Sequence, residues 1–244
     1  MRRPRIFTEQ LLRARDSIRL EPGPSRHVAR VLRKRAGDEL VLFNGGGGQY
    51  PATISAVDKS SVVVTTGDFD DIEVESKLQL YLGIALSRGE RMDWIVQKAT
   101  ELGVRSIAPL LSERTEVRLR GERQDKKLRH WQQIAISACE QCGRNQLPEI
   151  EPLQSLEQWL RQVRADARLV LHHRAGPGDP GTATPASVAL LVGPEGGLSS
   201  AEIEAAERAG FSALQLGPRV LRTETAPLAA IAILQARWGD MAAG

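Results

Sequence analysis

The 244-residue sequence contains only two cysteines, four histidines and no long apolar segment. Its basic amino terminus is not followed by the apolar run of a signal peptide, and its longest apolar runs are far shorter than a membrane span. We therefore expect a cytoplasmic protein without a membrane partner, in a reducing compartment where the cysteines stay unpaired.

The small net charge of +3 conceals an uneven distribution of charge along the chain. Residues 1–35 carry eleven basic and three acidic side chains, whereas residues 36–76 carry one basic and eight acidic ones. Arginine supplies 27 of the 33 basic side chains, and its planar guanidinium suits bidentate contacts to phosphate. The basic segment indicates an RNA partner, with an ordinary solvated surface as the alternative.

Short β segments dominate roughly the first 75 residues. Runs rich in Val, Ile, Tyr and Thr predict strands over residues 40–44, 50–57 and 61–66. The glycines at 45–48 fit a hairpin connection, and a helix is expected over 24–35 with Ser25 as its N-cap. This pattern predicts a small β barrel or sandwich that ends in the acidic stretch before residue 76.

Strand and helix patterns alternate in the rest of the chain. Apolar runs predict strands over residues 78–86, 104–111, 168–172, 188–192 and 213–216. Apolar side chains at helical spacing predict helices over residues 92–102, 125–142, 155–163, 200–209 and 227–238. Ser199 and Glu202 fit a capping box. Such alternation is typical of a mostly parallel sheet covered by helices on both faces.

Two glycine-bearing loops follow predicted strands, over residues 192–199 and 216–226. Ligands of open α/β sheets bind beyond the carboxyl ends of the strands, although a single loop of this kind is often only a tight turn. Neither loop matches the phosphate-binding patterns G-x-x-x-x-G-K-S/T and G-x-G-x-x-G. No serine or cysteine nucleophile with a base is recognisable nearby, which disfavours nucleophilic hydrolysis.

The cysteines and histidines carry weaker signals. Cys139 and Cys142 form one C-x-x-C pair inside a helical pattern, which favours small packed side chains over zinc or redox chemistry, and no metal site is expected. His172 and His173 end a predicted strand at the sheet edge that carries the glycine-bearing loops. A ligand contact and a structural hydrogen bond suit these histidines equally well.

Seven stretches together resemble the SPOUT-class RNA methyltransferases of the RsmE type, which methylate N3 of a uridine in small-subunit (16S) ribosomal RNA. The stretches are RRPRIF from Arg2, HVARVLRKRAGDEL from His27, RMDWIVQKATELGV from Arg91, SERT from Ser112, ACEQCGRNQLPEI from Ala138, GPEGGLS from Gly193 and LGPRVLRTETA from Leu216. The resemblance covers nearly the whole chain and is specific in combination.

This resemblance implies a PUA-like, RNA-binding β-barrel domain over residues 1–74 and an α/β domain with a parallel sheet and a trefoil knot over residues 75–244. It also implies a homodimer that binds S-adenosylmethionine in the knotted loops. The implied cofactor contacts are Leu171, His172, Gly193, Glu195, Gly196, Gly197, Leu198, Leu216, Gly217, Val220, Leu221, Arg222, Thr225 and Ala226. Since this cofactor has no phosphate, the missing phosphate-binding patterns agree with it.

The implied reaction gives two side chains catalytic roles. Uridine N3 carries a proton at neutral pH and must lose it as it attacks the methyl group, and the base must be unstacked. We expect Arg222 to stabilise negative charge on the uracil oxygens, and Glu224 to orient this arginine or accept the N3 proton. For Glu224, an internal salt bridge or a helix cap is the alternative role.

The expected RNA partner is 16S ribosomal RNA within the small ribosomal subunit. The basic side chains expected to hold it are Arg3, Arg5, Arg30, Arg33, Lys34, Arg88 and Arg114. One alternative is a SPOUT enzyme that acts on another RNA or at a ribose hydroxyl, and a second is a ribosome-assembly factor that binds RNA without catalysis. The intact loops favour an enzyme.

Overall fold

The computed structural model describes residues 3–58, 61–117, 119–172 and 184–241. The chain divides into two compact units. The first consists of Met1–Glu75 and Ile136–Leu147, and the second of Ser76–Ala135 and Pro148–Gly244. His173 lies outside the described residues. The domain boundary at residues 74 and 75 stays a prediction, and a segment from the middle of the chain belongs to the first unit.

The first unit contains a five-stranded mixed sheet with the strand order β1-β3-β4-β5-β2. Its strands are β1 (Arg5–Phe7), β2 (Ser17–Arg19), β3 (Glu39–Phe43), β4 (Tyr50–Val57) and β5 (Val62–Thr66). β1 pairs with β3 in parallel, and the other neighbours pair antiparallel. Apolar side chains such as Ile6, Leu40 and Ile54 form its core. The three predicted strands are confirmed, whereas β1 and β2 are too short for alternation to reveal them.

The predicted helix over residues 24–35 begins earlier and changes its geometry. An α helix, α1, spans Pro22–Arg26 and continues as a π-helical turn over His27–Val31. The prediction that Ser25 is the N-cap is wrong, because the helix starts at a proline, which is tolerated in the first turn. The buried Ser25 hydroxyl instead donates to the Leu20 carbonyl at 2.9 Å and accepts from the Val62 N–H at 3.1 Å.

The second unit contains a seven-stranded sheet whose strand pairs are all parallel. The strand order is β12-β10-β11-β6-β7-β8, and β9 also pairs with β7. The strands are β6 (Gln79–Ala85), β7 (Ser106–Leu111), β8 (Glu149–Ile150), β9 (Gln154–Ser155), β10 (Ala167–Leu171), β11 (Ser187–Val192) and β12 (Ser212–Leu214). The predicted parallel α/β sheet is confirmed.

Helices cover both faces of this sheet, as predicted. They are α2 (Arg91–Glu101), α3 (Glu122–Cys142), α4 (Leu156–Gln162), α5 (Ser200–Arg208) and α6 (Thr225–Trp238). One apolar core joins the sheet to α2 and α6, and a second joins its other face to α4 and α5. Ser199 and Glu202 form the predicted capping box of α5. The implied trefoil knot stays a prediction.

The described part of the chain lacks two features. No helix there has both the length and the apolar composition of a membrane span. Nor do three or more His, Cys, Asp or Glu side chains of these residues come together in a way that could hold a metal ion. Cys139 is buried in α3 and its thiol donates to the Gln146 carbonyl at 3.6 Å. A hydrogen bond with Cys142 and burial raise the pKa of the Cys139 thiol, so it stays protonated.

Candidate functional site

Two cavities lie in the second unit at the edge where the parallel strands end. The first cavity, of about 600 Å³, lies beyond the carboxyl ends of β10, β11 and β12. The second cavity, of about 840 Å³, is lined by residues that follow β6, β7 and β11. Arg114, Glu195 and Gly196 line both cavities, which are therefore neighbours. This is the edge at which open α/β sheets bind ligands.

The first cavity brings together most of the residues that the sequence predicts as cofactor contacts. Those that line it are Leu171, His172, Gly193, Glu195, Gly196, Gly197, Leu198, Leu216, Gly217, Val220, Leu221 and Ala226. Arg222 and Thr225 do not line it. Residues that were not predicted from the sequence also line the cavity, among them Arg219 and the α5 carboxylates Glu204 and Glu207.

Close packing shapes the loop that follows β11. A Cβ atom on Gly193 would lie 3.0 Å from both the backbone nitrogen and Cγ of Leu198. The turn is closed by the Gly197 N–H, which donates to the Pro194 carbonyl at 2.8 Å. Arg114 Nη1 donates to the Gly196 carbonyl at 2.9 Å. These two hydrogen bonds hold the loop, and residues 193–198 line the cavity.

The loop that follows β12 turns Arg222 away from the first cavity. The Thr225 and Ala226 N–H groups both donate to the Arg222 carbonyl at 2.9 Å, which starts α6. The Arg222 side chain is 81% exposed. Glu224 is the N-cap residue of α6, but its side chain makes no capping hydrogen bond. The Glu224 carboxylate is therefore not used to cap the start of α6.

The Glu195 carboxylate lies on the shared boundary of the two cavities. Burial opposes ionisation of Glu195, but its carboxylate accepts hydrogen bonds from its own N–H, from the Arg88 N–H and from the Arg91 guanidinium. These bonds outweigh burial and place the pKa of Glu195 below its usual value. Glu195 is consequently ionised at neutral pH, and Arg91 compensates its charge.

Arg91 joins the two carboxylates at this boundary. Its Nη1 donates to Glu195 Oε1 at 2.5 Å, and its Nε lies 3.5 Å from Glu224 Oε2. Glu224 Oε1 lies 3.9 Å from Arg222 Nη1, so the predicted pair is brought together. Arg91 is not among the site residues predicted from the sequence, although it opens the RMDWIVQKATELGV stretch and directly follows the loop after β6.

The predicted RNA-binding residues of both units differ in exposure and in hydrogen-bond partners. Arg30 and Arg33 are exposed at and just after the π-helical turn. Lys34 Nζ lies 4.0 Å from Asp38 Oδ2, and Arg3 Nε donates to Glu39 Oε2 at 2.8 Å. In the second unit, Arg88 pairs with Glu116, and Arg114 supports the loop after β11 as described above.

Arg5 has a structural position that differs from the predicted phosphate contact. Its guanidinium donates to Gln49, to Asn145 Oδ1 at 2.6 Å and to the Arg144 carbonyl at 3.1 Å, and it lies 4.7 Å from the centre of the Phe43 ring. Because these donors are directed at protein acceptors, we assign Arg5 to the architecture of the first unit. Two of its partners, Arg144 and Asn145, belong to the segment Ile136–Leu147, which is part of this unit.

Comparison with known proteins gives concordant matches. A family model described as an RNA methyltransferase domain matches residues 74–235, and one described as an RNA methyltransferase PUA domain matches residues 25–66. The chain is 34% identical over 243 residues to the ribosomal RNA small subunit methyltransferase E of Buchnera aphidicola subsp. Schizaphis graminum. The aligned region covers 98% of each of the two chains.

Two solved structures are similar over nearly the whole chain. A Legionella pneumophila structure with the bound cofactor SAM has a TM-score of 0.95 and 41% identity, and covers 98% of this chain and 100% of that one. The ribosomal RNA small subunit methyltransferase E from Neisseria gonorrhoeae bound to S-adenosyl methionine has a TM-score of 0.91 and 39% identity, and covers 98% and 99%.

Proposed function

Because this chain belongs to the family of ribosomal RNA small subunit methyltransferase E, we propose that it transfers the methyl group of S-adenosylmethionine to N3 of a uridine in 16S ribosomal RNA. The observation that carries the proposal is the first cavity, where two glycine-bearing loops meet at the carboxyl edge of the sheet beside an ionised glutamate.

The residues of the first cavity fit this cofactor. Its volume lies within the range of about 300–1,000 Å³ that small-molecule sites occupy. Leu198, Leu216 and Leu221 offer an apolar slot for adenine, and the loop backbones offer polar groups for its edge. Glu204 and Glu207 of α5 offer carboxylates for the positive sulfonium and amino groups. When bound, the cofactor supplies an electrophilic methyl group on a positively charged sulfur.

Arg222 and Glu224 act on the acceptor base. Uridine N3 must lose its proton as it attacks, and negative charge then spreads onto the two uracil oxygens. The exposed Arg222 guanidinium donates hydrogen bonds to these oxygens, and Glu224, 3.9 Å from it, orients the arginine or takes the N3 proton. Because Arg222 lies outside the first cavity, it serves the acceptor and not the cofactor.

The proposed function includes an RNA substrate and a second copy of the chain as partners. The RNA is 16S ribosomal RNA of the small ribosomal subunit, and Arg30 and Arg33 contact its phosphates through their exposed side chains. The enzyme acts as a homodimer. Trp94 on α2 and Ile233 on α6 are 52% and 50% exposed, and these two helices pack together, which supports an apolar surface for a second copy.

Methyl transfer to defined RNAs tests the proposal. The protein is incubated with methyl-labelled S-adenosylmethionine and either small ribosomal subunits, free 16S RNA or transfer RNA, and the modified nucleoside is mapped. We expect N3-methyluridine in 16S RNA. Label in transfer RNA or at a ribose hydroxyl would refute the N3 assignment, and cofactor binding without transfer to any RNA would favour the assembly-factor alternative.

Arg222→Ala tests the proposed chemistry. We expect turnover to fall by about 10²-fold, as when one donor to a developing oxyanion is lost, while the cofactor Kd is unchanged. Arg161→Ala is the matched control, because this exposed arginine lies on α4 and pairs only weakly with Glu157 at 3.8 Å. Unchanged turnover in Arg222→Ala would remove it from the catalytic group.

A further inference from the structure

The second cavity contains one guanidinium that contacts two carboxylates from different loops. Arg91 is the first residue of α2, Glu195 comes from the loop after β11, and Glu224 ends the loop after β12. The contact distances are 2.5 Å from Arg91 Nη1 to Glu195 Oε1 and 3.5 Å from Arg91 Nε to Glu224 Oε2. These distances place Arg91 between the two carboxylates.

Of the three side chains in this arrangement, Glu224 is the most buried. The Glu224 side chain is 23% exposed, and those of Arg91 and Glu195 are 38% and 36% exposed. An arginine uses several donors in a fixed planar fork, so one guanidinium can hold two carboxylates in a defined mutual geometry. Glu195 also lines the first cavity, whereas Arg91 lines only the second.

We propose that Arg91 is a positioning residue that holds Glu195 and Glu224 at fixed positions relative to each other, so that Glu224 and Arg222 are aligned with the cofactor in the first cavity. The inference rests on the proposed function. Glu195 lines the first cavity, which we assign to the cofactor. Glu224 Oε1 lies 3.9 Å from Arg222 Nη1, so the second carboxylate is close to the proposed acceptor contact. Arg91 acts through these side chains and does not itself touch the cofactor cavity.

A positioning role predicts a particular kinetic pattern. Loss of Arg91 lets Glu224 move relative to Glu195, and misplacement of a catalytic group by about 1 Å can cost about 10²-fold in rate. We therefore expect Arg91→Ala to lower kcat by about tenfold to a hundredfold, with KM for RNA and the cofactor Kd both within about twofold of wild type. A residue that only supports the fold would lower the fraction of protein that binds the cofactor together with kcat, so kcat is calculated per cofactor site counted by calorimetry.

The experiment compares wild type, Arg91→Ala, Arg91→Lys, Glu224→Gln and the double variant Arg91→Ala/Glu224→Gln. Methyl transfer, cofactor binding by calorimetry and thermal unfolding are measured for each, with Arg161→Ala as a charge-removal control. Lysine keeps the charge but lacks the fork, so Arg91→Lys should recover part of kcat. If Arg91 acts through Glu224, the two single losses are not additive, and the double variant is about as slow as the slower single one.

Each other outcome overturns the proposal in a distinct way. Wild-type kcat in Arg91→Ala shows that the carboxylates need no positioning, and additive losses show that Arg91 acts independently of Glu224. A rise in KM for RNA alone makes Arg91 an RNA contact. If Arg91→Ala does not fold, Arg91→Lys and its double variant with Glu224→Gln decide in its place. If wild type binds the cofactor and methylates no RNA, the proposed function itself has failed.

Discussion

The indole of Trp159 in α4 lies directly against the backbone of Gly83 in β6. A Cβ atom at position 83 would come within 2.6 to 2.7 Å of three ring atoms. Trp159 is 2% exposed, and the strand it covers is the central one that leads into the loop before Arg91. The absence of a side chain at this position lets a helix approach the sheet closely.

Gly83→Ala should therefore destabilise the protein. The new methyl group has to displace a buried indole, and overpacking of this kind costs about 1–3 kcal/mol. The midpoint of urea unfolding, followed by tryptophan fluorescence, measures the loss. Gly23→Ala is the control, because a Cβ at position 23 meets nothing within 4 Å and should leave the midpoint unchanged or slightly higher. An unchanged midpoint in Gly83→Ala would show that Trp159 moves aside freely.

The buried ion pair of the first unit should be sensitive to loss of one partner. Arg144 Nη2 lies 2.6 Å from Glu75 Oε2, and the two side chains are only 5% and 16% exposed. Arg144→Ala leaves a carboxylate without its partner in a mostly buried site, which we expect to cost about 3–5 kcal/mol. Arg161→Ala, from an exposed pair, should cost less than about 0.5 kcal/mol in the same urea titration. Equal losses would contradict the buried-pair argument.

Asp93 should make stability depend on pH in the acid range. Burial opposes its ionisation, but hydrogen bonds from His130, Trp131 and Lys127 outweigh burial and lower the pKa of Asp93. A carboxyl whose pKa is lowered by folding stabilises the protein above its unfolded pKa of about 3.9, and this contribution disappears as the pH falls through the lower folded value.

Asp93→Asn should consequently lower the free energy of unfolding by about 1–3 kcal/mol at pH 7, because hydrogen bonds to a charged acceptor are lost. The difference from wild type should shrink as the pH falls below about 4. Urea titrations of both proteins at several pH values measure it. A difference that is constant down to pH 2 would mean that the ionised form of Asp93 contributes nothing.

Arg30 and Arg33 should contribute to RNA affinity through charge. Arg33 has a φ of +52°, so glutamine, which leaves the backbone equally strained, is a better replacement than glycine. Arg30→Gln/Arg33→Gln should weaken RNA binding and lower the slope of log K against log salt by about one per lost phosphate contact. The exposed pair Arg129→Gln/Arg161→Gln, with the same charge change, is the control. Identical slopes in both double variants would place the RNA elsewhere.

Gly193→Ala should weaken cofactor binding. The added Cβ would lie 3.0 Å from Leu198 and push the loop after β11 into the first cavity. We expect the Kd for S-adenosylmethionine to rise by about tenfold, equivalent to about 1.4 kcal/mol. Gly23→Ala is the control, because position 23, like position 193, has no positive φ and a Cβ there meets nothing within 4 Å. An unaffected Kd in Gly193→Ala would place the cofactor outside this loop.

The elements of the second unit could be predicted from the sequence because their signals are local. The apolar spacing of α2, the apolar run of β11 and the Ser199–Glu202 capping box are three such signals. Each of them involves residues that are close together in the sequence. Strands of only two or three residues, such as β1 and β8, carry too few side chains to show a period. The N-cap prediction for Ser25 is wrong because the hydrogen bonds of its hydroxyl involve Leu20 and Val62, and Val62 is distant in the sequence.

The alternating pattern, the parallel sheet and the two loops at its edge are all visible in the sequence, since each follows from short-range periodicity and glycine placement. The contact of Arg5 with Asn145, the inclusion of residues 136–147 in the first unit and the position of Arg91 between Glu195 and Glu224 are visible only in the folded chain. These contacts join polar side chains separated by over 100 residues, and such a side chain carries no local signal that identifies its partner.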